Sequence, residues 1–103
     1  MKMNTNNIVP RIGLGTYNMN SQEAEDMTYA AIEYGYRHID TAAVYRNEDG
    51  VGAALRKIFA DTDLKRSDLT ITTKLWPGGL VKVDRVKNKE GTIKSLDKSL
   101  RNL

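Results

Sequence analysis

The fold is decided by the stretch RHIDTAAVYRNED, residues 37–49. Its first half has the apolar and β-branched content of a buried strand, and Asp40 stands near the end of that strand. Its second half begins a helix at Asn47, where two acidic residues suit the positive end of the helix dipole. The stretch therefore predicts a strand, a short turn and a helix, with a buried carboxylate before the turn.

The same order of strand and helix occurs three times along the chain. Strands are predicted at residues 11–16, 37–42 and 70–75, and helices begin after Asn20, at Asn47 and near Glu90. This alternation favours parallel strands joined by right-handed helical crossovers. We therefore predict an α/β fold, preceded by a short hairpin in residues 1–9 and interrupted by a loop at residues 77–89.

Capping signals and apolar spacing define the predicted helices. Asn20 and Glu23 form a capping-box pattern at the start of the first helix, and Gly35 is placed to end it. Helical spacing predicts three apolar faces: Ala24, Met27, Ala31 and Tyr34 on the first helix, Val51, Leu55, Ile58 and Phe59 on the second, and Ile93, Leu96, Leu100 and Leu103 on the third.

Composition restricts the class of protein. The chain has 103 residues, 40% of them hydrophobic and 28% charged, with a net charge of +3, which is ordinary for one soluble domain. It has no cysteine, so disulfides and thiolate metal sites are excluded. The polar start lacks the apolar region of a signal peptide, and no apolar run approaches the roughly 20 residues of a membrane span. We expect a cytoplasmic protein.

A basic segment at residues 82–94 is the only stretch that suggests a nucleic-acid partner. No aromatic side chain is interleaved with its lysines, although proteins that bind single strands stack bases on such rings. The segment is therefore interpreted as a solvated loop and helix start. Neither a nucleic acid nor a membrane is expected as a partner.

Three polar positions share one face of the predicted sheet. Side chains alternate along a strand, so if the apolar sets pack on the helices, Gly15, Asp40 and Lys74 point together to the other side. All three lie near the carboxyl ends of their strands, where a closed βα barrel builds its active site. Tyr45 would be about 16 Å from Asp40 along a straight strand. It can approach only if the chain turns after Ala42 and folds back.

Asp, Lys and Tyr together can perform acid catalysis. A lysine ammonium beside a phenol stabilises the phenolate and so makes the phenol a stronger acid. With Asp40 anchoring Lys74, Tyr45 could protonate a carbonyl oxygen as a hydride reaches its carbon. Each residue also has a simpler interpretation: Asp40 in a structural ion pair, and the other two as surface side chains.

Two further residues receive a structural interpretation. His38, the only histidine, shares a face with Asp40 but lies deeper, so it is interpreted as a hydrogen-bonded core residue. Gly13 and Gly15 lack the third glycine and the immediate helix of a dinucleotide fingerprint. Gly15 instead leaves the site open for a ligand.

Four blocks of the sequence, in this order, resemble the aldo-keto reductase family. They are VPRIGLGTY at 9–17, AIEYGYRHIDTAAVYRNEDGVGAAL at 31–55, KRSDLTITTKLWP at 65–77 and KSLDKSLRNL at 94–103. The resemblance implies a (β/α)8 barrel that reduces aldehydes and ketones with NADPH and without a metal. Residues 1–103 would be the N-terminal segment and first three βα units of that single barrel domain, and the complete enzyme would act as a monomer on a small carbonyl substrate.

The resemblance also implies roles for individual residues. Tyr45 would donate the proton, Lys74 would strengthen it as an acid, and Asp40 would support Lys74 and touch the nicotinamide ribose. Gly15, Thr16 and Tyr17 would border the cofactor, and Trp76 would line the substrate pocket beside Tyr45.

One catalytic residue of the family has no counterpart here. The family carries a histidine at the end of its fourth strand, and His38 belongs to the second-strand motif and does not replace it. The reductase activity is therefore expected of a longer enzyme. The alternative is a non-catalytic truncated barrel fragment that acts as a binding or assembly module through its open sheet. The isolated chain is expected to self-associate, because its sheet edges and the apolar face of its third helix are unpaired.

Overall fold

Three parallel strands form one sheet in the computed structural model, which describes residues 9–75 and 89–103, with the backbone alone at 89–92. The strands are β1 (Leu14–Gly15), β2 (His38–Asp40) and β3 (Thr70–Thr72), adjacent in that order. The predicted parallel arrangement is confirmed, although each strand is shorter than predicted. The hairpin and the loop expected at residues 1–9 and 77–89 lie, apart from one end residue each, outside the described part.

A helix follows each strand: α1 (Ser21–Tyr34), α2 (Glu48–Asp61) and α3 (Lys89–Asn102). Two single turns of 3₁₀ helix, Ala43–Tyr45 and Arg66–Asp68, precede α2 and β3. Within the described residues, no helix has the length and apolar character needed to cross a membrane.

The predicted boundaries of α1 are confirmed by its caps. The side chain of Asn20 accepts a hydrogen bond from the backbone N–H of Glu23 at 2.8 Å, and Glu23 accepts one from the N–H of Asn20 at 3.0 Å. Gly35 ends the helix with φ of 118°, a left-handed conformation that glycine adopts without steric cost.

The core lies between the sheet and the helices. Its fully buried members are Ala24, Ile32, Ile39, Val51, Leu55 and Ile58, with Leu69 at its edge. The apolar face predicted for α2 is therefore confirmed. The face predicted for α1 is wrong in part, because Met27 and Tyr34 are 47% and 89% exposed while Thr28 and Ile32 are buried. Spacing of four residues from Ala24 brings those two residues, rather than Met27, against the core.

Helix α3 packs against the rest of the molecule through few side chains. Ser99 is buried and Leu103 contacts the core, whereas Ile93, Leu96 and Leu100 are exposed. Most of the apolar face predicted on this helix is therefore exposed to solvent among the described residues.

Two glycines let α2 approach its neighbouring helices at backbone distance. A methyl group at Gly50 would overlap the carbonyl oxygen of Ser21 in α1, and one at Gly52 would overlap the carbonyl oxygen of Asn102 in α3. Both obstacles are backbone atoms, which cannot rotate away as a side chain can.

Gly50→Ala and Gly52→Ala are each expected to destabilise the chain by about 1–3 kcal/mol, the usual cost of overpacking. Helix propensity alone would give the opposite sign, since alanine is better in a helix by up to about 1 kcal/mol. Urea unfolding followed by circular dichroism measures the effect, with Ala60→Gly at an exposed position of α2 as the control for propensity. An increase in stability from both glycine substitutions would contradict the close contacts.

Candidate active site

An ion pair joins β2 to the residues after β3. The strand pairing continues past both strand ends, because the N–H of Thr41 donates to the carbonyl of Thr72 at 2.7 Å and the N–H of Ala43 to that of Lys74 at 3.1 Å. This register brings the Lys74 ammonium to Asp40, to which it donates a hydrogen bond, and to the carbonyl oxygen of Thr41 at 2.9 Å. The ammonium is therefore fixed by two acceptors at the carboxyl end of the sheet.

The ion pair is only half buried. The side chains of Lys74 and Asp40 are 46% and 47% exposed, so the expectation that Asp40 is buried is wrong for this chain. The residue lies on the face of the sheet opposite the helices, and no described residue covers that face enough to exclude water from the carboxylate.

The protonation of Lys74 is set by two opposing effects. Partial burial lowers the pKa of Lys74, but the hydrogen bond and charge of Asp40, with a contribution from Tyr45, outweigh it and raise the pKa above its ordinary 10.5. The charge of Lys74 therefore contributes its full stabilisation to the fold at any pH below 10.5, the ordinary pKa of lysine. That contribution is lost only as the pH rises through the raised pKa of Lys74. Lys74 is therefore an ammonium throughout the neutral range.

A tight turn after β2 brings Tyr45 back over the ion pair. Residues 43–45 form one turn of 3₁₀ helix, with the N–H of Tyr45 donating to the carbonyl of Ala42 at 3.1 Å. Arg46 then adopts a left-handed conformation with φ of 57°, which directs the chain into α2. The Tyr45 ring centroid lies 5.3 Å from the Lys74 ammonium nitrogen. The structure thus contains the fold-back that the sequence argument required.

Tyr17 and Gly15 border the same face. The rings of Tyr17 and Tyr45 meet edge to face, with centroids 5.3 Å apart and an interplanar angle of 65°, a favoured aromatic geometry. Gly15 pairs with Asp40 across the sheet, and a methyl group built on it would meet no atom within 4 Å. The surface above Gly15 and Asp40 is therefore open to a ligand. Trp76, predicted to line the same pocket, lies outside the described residues.

Thr16 was predicted to border the cofactor, but all its polar groups form hydrogen bonds within the protein. Its N–H donates to the carbonyl of Asp40 at 3.0 Å, and its carbonyl accepts from the N–H of Met19 and from the Asn47 side chain. Its hydroxyl contacts Thr41 and Asn47, and the residue is fully buried. Thr16 therefore holds the loop together rather than facing the open surface.

Asn47 is the residue of this region that sequence reasoning missed. The sequence indicated only that α2 begins there, which the structure confirms. Its side chain is nevertheless fully buried and hydrogen-bonded to two other segments. The available signal was an asparagine at a helix start, a position normally explained by capping alone.

His38 is held within the sheet. Its Nε2 lies 3.1 Å from the hydroxyl of Thr72, and its ring packs so closely on Gly13 that a methyl group there would come within 2.8 Å of Nδ1. These contacts agree with a structural histidine. Among the side chains that the structure describes, no group of three or more histidine and acidic residues could hold a metal ion.

The arrangement has the parts of a general acid. A phenol lies beside an ammonium that a carboxylate anchors, and all three face an open surface. Such a phenol can give its proton to an oxygen that gains negative charge, and the ammonium stabilises the phenolate left behind.

Comparison with known proteins identifies the family of the chain. The model of the Aldo/keto reductase family matches residues 11–103. The chain is 45% identical over 76 residues, 74% of its length, to the glycerol 2-dehydrogenase (NADP(+)) of Saccharomyces cerevisiae. It is 39% identical over 98 residues, 95% of its length, to the methylglyoxal reductase DkgA of Escherichia coli.

The solved structures agree with the sequences. A Bombyx mori aldo-keto reductase, crystallised in complex with NADP, superposes with a TM-score of 0.79 over the whole chain at 34% identity. The matched structures are (β/α)8 barrels, so the predicted fold class is confirmed. The chain spans 23% and 32% of the two curated relatives and 33% of the solved one, about a quarter to a third of their length.

Proposed function

The chain belongs to the aldo/keto reductase family, and we propose that it supplies the acid-catalytic part of a site that reduces aldehydes or ketones to alcohols with NADPH. The observation that carries this proposal is the contact of Tyr45 with the Lys74–Asp40 ion pair on an open face. That contact joins three segments of the chain and provides an acid where the sheet ends.

Each residue of the trio has a distinct role in the proposal. The Tyr45 hydroxyl donates its proton to the carbonyl oxygen of the substrate as that oxygen becomes an alkoxide. Lys74, an ammonium at neutral pH whose raised pKa holds the proton more firmly, stabilises the phenolate that remains. Asp40 holds the ammonium in place and keeps it charged. The exposed ring of Tyr17 borders the substrate, and Trp76 is proposed as a further wall of the pocket.

The residues on the open face fit a nicotinamide cofactor. Gly15 leaves free space beside Asp40, and the Asp40 carboxylate is exposed enough to accept a hydrogen bond from a ribose hydroxyl. Gly15, Tyr17 and Asp40 would hold the nicotinamide end, whereas Thr16 contributes through the loop that it secures. When bound, NADPH supplies the hydride that reduces the carbonyl carbon.

A chimaera tests the proposal. Residues 9–103 replace the equivalent segment of the E. coli methylglyoxal reductase DkgA, which aligns with 95% of this chain. The purified chimaera is expected to consume NADPH when an aromatic aldehyde is added. A folded chimaera that binds NADPH, measured by fluorescence titration, and that still reduces no aldehyde would refute the assignment.

The 103-residue chain by itself is expected to show no measurable carbonyl reductase activity. It spans about a quarter to a third of its relatives, so most of a barrel that could enclose cofactor and substrate is not provided by these residues. NADPH consumption with the same aldehyde is compared with that of a Tyr45→Phe control. Turnover clearly above the control would show that these three βα units suffice.

A further inference from the structure

The loop that carries Tyr45 is closed at its base by two buried residues. Thr41 precedes it, Asn47 follows it, and both are fully buried. The Thr41 hydroxyl donates to the Asn47 Oδ1 at 3.1 Å. Five residues therefore separate two points that a hydrogen bond holds together, with Tyr45 between them.

The Asn47 carboxamide has one possible orientation. Its Nδ2 donates to the carbonyl oxygens of Thr16 at 2.7 Å and Met19 at 3.0 Å, and a carbonyl oxygen can only accept. Its Oδ1 faces the hydroxyls of Thr16 and Thr41, each at 3.1 Å. All the hydrogen-bonding capacity of the amide is thus used, in one orientation only.

Asn47 makes these bonds instead of a more common one. Asparagine at a helix N-cap usually accepts from a backbone N–H of the first turn, yet at the N-cap of α2 the Asn47 side chain makes no such bond. Its side chain instead connects the loop of residues 16–19, which carries Tyr17, to the loop of residues 41–47, which carries Tyr45. The rings of Tyr17 and Tyr45, one from each loop, meet edge to face.

We propose that Asn47, acting through the hydroxyls of Thr41 and Thr16, is a positioning residue that sets where Tyr45 stands relative to Lys74 and Tyr17. The inference rests on the proposed reductase function for its catalytic consequence. Asn47 itself touches neither the reacting phenol nor the open face. Its effect passes through the backbone on both sides of Tyr45.

Thr41→Val is the first test, in the chimaera described above. Valine keeps the shape of threonine and removes the hydrogen bond across the loop, while the Asn47 Oδ1 keeps the Thr16 hydroxyl as a partner. We expect kcat to fall about 10-fold or more, because a misplacement of about 1 Å can cost up to about 100-fold. KM and the NADPH dissociation constant should stay within about threefold of the parent values, because Thr41 is fully buried and does not reach the open face.

Thr28→Val is the matched control. Thr28 is as buried as Thr41, but in the described part of the chain its hydroxyl has no hydrogen-bond partner. The substitution therefore removes a buried hydroxyl without removing a hydrogen bond. It should leave kcat at the parent value and should not lower stability, because an unpaired buried hydroxyl is itself unfavourable.

Asn47→Asp is the stronger test. A carboxylate oxygen would then face the carbonyl oxygens of Thr16 and Met19, two acceptors from which it can take no hydrogen bond. We expect kcat to fall about 100-fold or more where the variant folds. If it does not fold, Thr41→Val and Thr16→Val still decide the matter, since each keeps the shape of the residue.

Two measurements separate positioning from a general structural role. In a Lys74→Met background, Thr41→Val should lower kcat no further, because both changes act on the same contact. The 19F NMR signal of fluorinated Tyr45, assigned with Tyr45→Phe, should move in Thr41→Val and not in Thr28→Val.

The outcomes distinguish this inference from the proposed function. Additive losses with Lys74→Met, or an unchanged Tyr45 signal in both Thr41→Val and Asn47→Asp, would overturn the positioning role. A parent chimaera that folds and binds NADPH but is inactive would refute the reductase proposal alone, and the Tyr45 signal would still decide whether Asn47 positions the tyrosine.

Discussion

Tyr45→Phe in the chimaera lowers kcat for aldehyde reduction by about 10²–10⁴-fold, the usual contribution of a positioned general acid. Phenylalanine keeps the ring that contacts Tyr17 and removes only the hydroxyl that would donate the proton. The affinity for NADPH should change little, because the phenol acts on the carbonyl oxygen. Steady-state kinetics and fluorescence titration with NADPH measure the two quantities separately.

Tyr29→Phe provides the control for Tyr45→Phe. It removes a phenol hydroxyl that donates to Asp61 at 2.8 Å between α1 and α2, away from the open face, and kcat should not change. A large loss of NADPH affinity in Tyr45→Phe, or turnover close to that of the parent, would be incompatible with Tyr45 as the proton donor.

Lys74→Met is expected to lower kcat about 10–1,000-fold, because the ammonium supports part of the 10²–10⁴-fold effect of the acid. Without it, the phenolate formed in the reaction has no adjacent positive charge. Steady-state kinetics with an aromatic aldehyde measure kcat for parent and variant.

Stability is measured beside activity for Lys74→Met. The ion pair is half exposed in this chain, so its loss should cost at most about 1 kcal/mol in the 103-residue chain. Lys57→Met is the matched control, because Lys57 also pairs with a carboxylate, that of Glu25, but on the helical side. A folded Lys74→Met variant with parental turnover would show that Lys74 is only a surface residue.

The elements of this chain could be predicted because each has a local cause. The capping box of Asn20 and Glu23 and the left-handed Gly35 act within one turn of α1, so the sequence contains all that determines them. The strand order follows from alternation, and the fold-back at Tyr45 from the short distance between β2 and α2. The open face carrying Gly15, Asp40 and Lys74 follows from the alternation of side chains along strands.

Other features depend on how the helices and strands pack against each other, and the sequence pattern does not determine that packing. Helix α1 offers two overlapping faces from Ala24, one through Met27 and one through Thr28 and Ile32. The second is buried because α2 packs there, and an apolar pattern scores Thr28 too low to predict it. The exposure of Asp40 depends on how much of the open face of the sheet other residues cover, which the strand pattern does not indicate. The role of Asn47 was missed because its partners come from 6 to 31 positions away.

The two glycines of α2 restrict where this helix can lie. Positions 50 and 52 are about 200° apart around a helix with about 100° per residue, so the backbones of Ser21 and Asn102 contact α2 from nearly opposite sides. A movement of α2 toward α1 would press Gly50 against the Ser21 carbonyl, and a movement toward α3 would press Gly52 against the Asn102 carbonyl. Asn47, the N-cap of α2, follows Tyr45 by two residues. We therefore expect the two backbone contacts of α2 to fix the end of the Tyr45 loop as well.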